Sequence, residues 1–338
     1  MATVRNRYLN ICAAANSKAA AAYAKRHVKV THPGFLAKAA ATGGSAVDLH
    51  YFGGRTIPAL VFTNFYLGGT HWAVGDRKNI DDRIAALMTD RWCMNVVDQY
   101  EIVTPTSRAV KSTVLADAVP ARYYTTDVEA QVTALFKAGR LAHFDTRGTV
   151  FNFLLPPGVV LVDGSRPGAA RHEHETEAEF ERRQRSTVLV KDEAVDSRHG
   201  LGGYHGSVHV GSTTLYYSVE VFSAIDGGVP NGIVIWNDAP WKNVVATLYH
   251  ELVEARTDPD VGDVNRTGNE KLLGWYGADG EIGDAPITWF EDGHTTQAKV
   301  WGEPTLSDGT TAPIQSMWSD AIHGPEAIAK KKHKKAKR

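Results

Sequence analysis

Residues 243–260 read NVVATLYHELVEARTDPD, and this stretch decides both a core element and the place of any chemistry. Val245, Leu248, Leu252 and Ala255 recur at the three- and four-residue steps of one helical face, which predicts a helix through Ala246–Glu254, stopped by Pro259. At about 100° per residue, Thr247, His250 and Glu254 fall on the flank away from that stripe, with Glu251 at its edge. A His and a Glu four residues apart project one turn apart from one face, so His250 and Glu254 are candidate ligands of one metal ion.

In H-E-x-x-H zinc enzymes the residue after the first His is the general base towards metal-bound water, a role that here falls to Glu251, while Glu254 stands where the second His would be. An extra carboxylate still holds zinc, at the cost of a less acidic bound water. The longer metzincin pattern, H-E-x-x-H-x-x-G-x-x-H, puts its third ligand ten residues after the first, which is Asp260, and has glycine where Thr257 stands. Ile314–Ser319 is then a candidate methionine turn, with Met317 beneath the metal. Acidic residues are dense beyond the helix, so Asp258, Glu281 and Asp284 compete with Asp260 as third ligand. The turn from Gly280 to Asp284 is also able to hold a separate calcium through oxygen donors. A blander reading makes Glu251, Glu254 and Arg256 the solvated side of an amphipathic helix, and His250 a partner for some nearby carboxylate.

Outward from this helix, the chain alternates strand-like and helix-like segments. Ile57–Leu67 is rich in β-branched and aromatic residues and reads as a strand, with Pro58 tolerable only near its start. Asn79 is placed to cap a helix whose face is Ile80, Ile84, Leu87 and Met88. A second helix is expected from Asp127 to about Gly139 along Val128, Val132, Leu135 and Phe136. Val150–Leu155, Val159–Val162, Val188–Val190, Leu215–Phe222 and Ile233–Trp236 read as further strands, with Gly200–Gly206 as a tight connection. The expectation is an α/β (α+β) fold: a single main domain over residues 46–325 whose mixed, twisted sheet packs on helices in a zincin-like layout. An alanine-rich extension (1–45) precedes it, a charged excursion (164–186) interrupts it, and a basic tail (326–338) follows, expected to be disordered and solubilising.

Lys and Arg (37) nearly balance Asp and Glu (38), so no global field draws the chain to nucleic acid or membrane. No segment reaches the roughly 18 apolar residues of a membrane span. Cys12 and Cys93 alone exclude a disulfide framework, and the segment 1–16 is too polar for a clear signal peptide. No P-loop, dinucleotide fingerprint or G-x-S-x-G elbow is present. His199, His205 and His209 flank the glycine-rich stretch and are either ligands or ordinary residues of that connection. His172 and His174 sit in the charged excursion and read as solvated. The tryptophans, Trp72, Trp92, Trp236, Trp241, Trp275 and Trp318 among them, read as core and boundary packing before a carbohydrate platform.

Four short motifs, taken in order, resemble the plant phosphate-induced or EXORDIUM-like proteins and their bacterial relatives over roughly residues 47–325. They are Tyr51-Phe52-Gly53-Gly54, Gly203–Gly206, His250–Glu254 running into Thr257-Asp258-Pro259, and Gly274-Trp275-Tyr276 followed by Glu281-Ile282-Gly283-Asp284. The resemblance implies a shared fold and site, and an extracellular, growth-related setting without an established reaction. This chain departs from the family in lacking its cysteines and an evident signal segment, which leaves the compartment unassigned. The sequence thus leans towards an enzyme: a zinc peptidase-like hydrolase acting on a peptide or protein. His250, Glu254 and Asp260 would hold the zinc, Glu251 would be the base, and calcium is the lesser cofactor choice. The alternative is a non-catalytic binding or signalling protein with a structural metal or none. Oligomeric state is not legible.

Overall fold

The computed structural model describes residues 11–14, 16–21, 47–166 and 195–336. Most of the alanine-rich extension, most of the charged excursion with His172 and His174, and the strand expected at Val188–Val190 lie outside the described residues.

Six strands form one mixed sheet: β1 (Ile11–Ala13), β2 (Ala59–Tyr66), β3 (Thr106–Val114), β4 (Thr149–Leu154), β5 (Leu201–Val210) and β6 (Thr213–Glu220), in the spatial order β1-β5-β6-β4-β2-β3. β6, β4, β2 and β3 run parallel, whereas β5 is antiparallel to β6 and β1 antiparallel to β5. β4 is TVFNFL and is buried at every position, as a central strand covered on both faces requires. The period of two sorts its residues. Phe151 and Phe153, with Phe65, Leu215, Tyr217 and Val219, pack against helix α3 (Thr125–Lys137) on one face. Val150 and Leu154, with Leu60, Phe62 and Tyr216, face the opposite layer. That layer contains helices α1 (Val74–Thr89), α2 (Arg91–Val97) and α4 (Trp241–Thr257). The mixed sheet packed on helices in one domain is thus as expected, and among the described residues no helix is long and apolar enough to cross a membrane.

Several local expectations change. α1 starts at Val74, so Asn79 lies inside the helix, and Asp76 supplies the first-turn anion. The expected face of Ile80, Ile84, Leu87 and Met88 is fully buried. Gly200–Gly206 is no loop, because Leu201 onward forms β5, and its glycines serve close approach. A Cβ on Gly203 would lie 2.7 Å from the Val219 carbonyl oxygen and 2.9 Å from Thr247 Cγ2 of α4. Ile233–Trp236 is not a strand. The amides of Ile235 and Trp236 both donate to Asn243 Oδ1 (2.9 Å each), which satisfies them without a ladder. The basic tail is docked through its described residues. Lys335 Nζ reaches Asp98 Oδ1 (3.0 Å), the Ala336 amide donates to the Gln99 carbonyl (2.7 Å), and His333 meets Glu326 (2.7 Å). The buried Asp98 carboxylate, with Lys332 Nζ also 3.8 Å from Oδ1, gives these two lysines a reason to fold back.

α4 itself is buried all round, from Asn243 to Thr257. The solvated-face reading of Glu251, Glu254 and Arg256 therefore fails: all three are 0% exposed. Arg256 instead ties the helix to the sheet, donating to the Pro58 carbonyl (2.8 Å) and the Thr106 carbonyl (3.1 Å) where β2 and β3 begin. Burial lowers its pKa to about 10, and the nearby Glu101 opposes that shift.

Candidate metal centre

Glycines in β5 let α4 lie close to the sheet, which brings His205 of β5 against His250, Glu251 and Glu254 of α4. The alternation of β5 and β6 places Gly203 and His205 opposite Glu220 and Ser218, all on the helix side. Beyond α4 the chain turns at Asp258 and passes through helix α5 (Val261–Thr267). It then returns as the Glu281–Asp284 turn, which opens helix α6 (Asp284–Glu291). Gly283 permits that return: a Cβ there would sit 2.4 Å from His250 Nδ1. Its amide and that of Asp284 both donate to Glu254 Oε1 at 3.1 Å.

The two imidazoles are held alike. His250 Nδ1 meets Gln315 Oε1 at 2.8 Å, and the Gln315 amide nitrogen donates to the Gly283 carbonyl (2.7 Å), which turns its oxygen to the ring. Nδ1 is therefore the donor, leaving His250 Nε2 3.1 Å from Glu254 Oε1 and 3.8 Å from Asp284 Oδ1 without an aligned hydrogen bond. His205 Nε2 lies 3.3 Å from the Asp258 carbonyl, which only accepts, so Nε2 carries that proton. Its Nδ1 then faces Glu251 Oε2 (3.2 Å) and Glu254 Oε2 (3.7 Å), while Glu281 Oε1 lies 3.7 Å from Nε2. A ring nitrogen fixed by a neutral acceptor, with the other turned into carboxylate oxygens, is the arrangement of a metal-binding histidine.

The cluster is wholly enclosed. His205 is 1% exposed, and His250, Glu251, Glu254, Asp258, Glu281 and Glu220 are 0% exposed. Glu254 Oε2, Asp258 Oδ2 and both oxygens of Glu281 and Glu220 find no hydrogen-bond donor, although buried carboxylates ordinarily do. Burial first, and neighbouring carboxylates second, push the carboxyls of Glu281 and Asp284 well above their usual range. Burial likewise raises Glu251, Asp258 and Glu220. Burial also depresses His205 to about 4, so that ring is neutral. At His250 burial acts in the same sense, but Cys12 and Glu254 outweigh it and raise the pKa. Protons or cations are the two means of neutralising such a set.

Three combinations bring ligand atoms within 4.8 Å of one another among the described residues: His250, Glu254 and Asp284; His205, Glu251 and Glu254; and Cys12, His250 and Glu251. No family model, curated protein or solved structure was found to match this chain. What the residues can do therefore rests on their geometry.

Of the residues singled out from sequence, His250, Glu251, Glu254, Asp258, Glu281 and Asp284 converge, and His205 joins them from the glycine-rich stretch. Asp260 does not join these combinations. It takes the Tyr216 hydroxyl (2.9 Å), and its charged neighbours are Asp263, Arg55 and His209. The physical reason is the turn after Thr257, which makes Asp260 the residue preceding α5 and leaves it at Tyr216, two residues along β6 from Ser218. His209 pairs with Asp263 (2.9 Å) and His199 with Asp196 (2.7 Å), both away from the cluster. Met317 is buried in the main core, and it is Gln315, two residues earlier, that reaches His250. Gln315, Glu220 and Cys12 were not legible as site residues. The Cys12 amide donates to Glu251 Oε1 (3.2 Å), its thiol lies 3.4 Å from Gln315 Oε1, and burial pushes the thiol up to about 11. β1 thus lies directly against the cluster. A period-two count from His205 back to Gly203 and across the sheet would have pointed to Glu220.

Proposed function

We propose that this protein is a metal-dependent hydrolase, most simply a zinc peptidase, in which His250, Glu254 and Asp284 hold the ion. The carrying observation is His250: Nδ1 is committed to Gln315, while Nε2 faces two carboxylates within 3.8 Å and makes no hydrogen bond. Asp284 takes the place that the spacing of ten gave to Asp260. A bound divalent ion would supply Lewis acidity and lower the pKa of a coordinated water. The protein's own part is to fix both rings, to orient Glu254 through the Gly283 and Asp284 amides, and to exclude bulk water. Glu251 stands beside this ion with Oε2 turned to His205, and is the base if no second cation lies between those two groups. The zincin-like layout belongs to the same reading, supported by a His-Glu helix lying against a mixed sheet. The EXORDIUM-like resemblance is supported in the same way, since Gly203–Gly206, His250–Glu254, Asp258 and Glu281–Asp284 all meet in one cluster.

Complete enclosure favours a second reading, a non-catalytic protein whose ion is structural. Metal analysis of purified protein, with His250→Ala beside it, tests the centre: bound zinc whose content falls in the variant is expected. A peptide-library screen then separates the readings, with cleavage abolished by a chelator expected for the hydrolase. Bound metal with no cleavage, even when β1 is removed to open the site, would leave the structural ion.

A further inference from the structure

The acid cluster extends well past His250, and its two halves share a residue. Glu254 turns Oε1 to His250 Nε2 (3.1 Å) and Oε2 to His205 Nδ1 (3.7 Å). Asp284 completes the first half and Glu251 the second, and each combination has its ligand atoms within 4.8 Å of one another. Each ring has its remaining nitrogen fixed by an uncharged oxygen, Gln315 Oε1 at one and the Asp258 carbonyl at the other. The halves are therefore built to one plan, an imidazole lone pair and a terminal carboxylate on either side of a common one.

We propose that the centre binds two divalent cations bridged by the Glu254 carboxylate, one held by His250 and Asp284 and the other by His205 and Glu251. This rests on the metal-centre reading above and changes only the part of Glu251, which becomes a ligand of the second ion. Charge supports the pair. Four carboxylates have oxygens within 4 Å of the two rings: Glu251, Glu254, Glu281 and Asp284. All are buried, and one dication would leave two of these four charges uncompensated, whereas two dications match the four. Glu254 Oε2, His250 Nε2 and both oxygens of Glu281 are buried and lack hydrogen-bond partners, so donor atoms stand ready in both halves. Glu281 Oε1 lies at the other ring nitrogen of His205, 3.7 Å from Nε2. One nitrogen with several oxygens per ion suits zinc or manganese. A carboxylate bridging through both oxygens matches a separation of about 3.5–4 Å, that of two-metal hydrolases.

The test is metal stoichiometry on the full chain, stripped by chelator and reloaded with zinc or with manganese. Two ions per chain are expected, falling to one in His205→Ala and in Asp284→Asn. The manganese form of the unaltered protein should give the exchange-coupled spectrum of a close pair, a readout that does not depend on any variant folding. One ion per chain with an isolated-manganese spectrum would overturn the pair and leave the single-metal hydrolase standing. No bound ion at all would overturn both. Glu251→Gln separates the two parts assigned to that residue: loss of one ion is expected here, and an unchanged count would return it to the role of base.

Discussion

Gln315 is the residue on which the orientation of His250 depends. Its amide is anchored at the Gly283 carbonyl and its oxygen receives His250 Nδ1–H, so the ring cannot turn Nε2 away from Glu254. Replacement by leucine keeps the volume apolar and deletes the acceptor. Gln315→Leu should weaken metal binding by about 10–100-fold with little change in fold, which a chelator competition titration measures. Unchanged affinity would mean that His250 is oriented by something else. Gly283→Ala acts on the same ring by crowding, because its Cβ would fall 2.4 Å from His250 Nδ1. Forcing backbone or ring to shift costs about 1–3 kcal/mol, and urea unfolding of this variant should show that loss. Sequence showed a glycine between two acidic residues at this point, but not the imidazole that forbids a methyl group.

Among the elements, β1 and the strand Met317–Ser319 make separable predictions. Among the described residues β1 is a three-residue edge strand paired only with β5, and its register breaks between Cys12 and Ala13, yet it supplies the amide that meets Glu251. Deleting residues 1–21 should speed loss of bound metal to a chelator, followed by stopped mixing and metal release. An unchanged rate would show that the ion leaves by another route. Just after Met317–Ser319, Asp320 accepts from the Leu49 amide and the Tyr100 hydroxyl (3.0 Å each). Burial, with Asp48 adding to it, raises its pKa to about 7. A raised carboxyl favours the folded state while protonated. Its contribution is full below the unfolded value of about 4 and is lost as pH rises through 7. Asp320→Asn should flatten that part of the stability profile between about pH 4 and 7, read from denaturation midpoints across the range. A profile as steep as that of the unaltered protein would assign the slope to other groups.

Over the whole molecule, the centre joins β5, α4, the Glu281–Asp284 turn and Gln315, so its charge state bears on global stability. Cation binding to the folded state alone adds about 2.7 kcal/mol when the free ion is 100-fold above its dissociation constant. Thermal unfolding should accordingly shift upward with added zinc and downward with chelator, and a midpoint indifferent to both would argue that protons neutralise the cluster. Much of this architecture was legible in the chain by itself. The three- and four-residue steps around His250 determined a helix, the β-branched and aromatic run Val150–Leu155 determined a strand, and the acidic motifs supplied the candidate ligand types. Only the tertiary structure decided which carboxylates lie at His250, that His205 joins them, and that Arg256 is an interior clamp. Periodicity specifies the face a side chain takes on its own element, but not the element that comes to lie opposite. The latter is set by strand order, by the close approach that Gly203 permits, and by the turn after Thr257, which carries Asp260 to Tyr216 while the chain returns with Asp284 at His250.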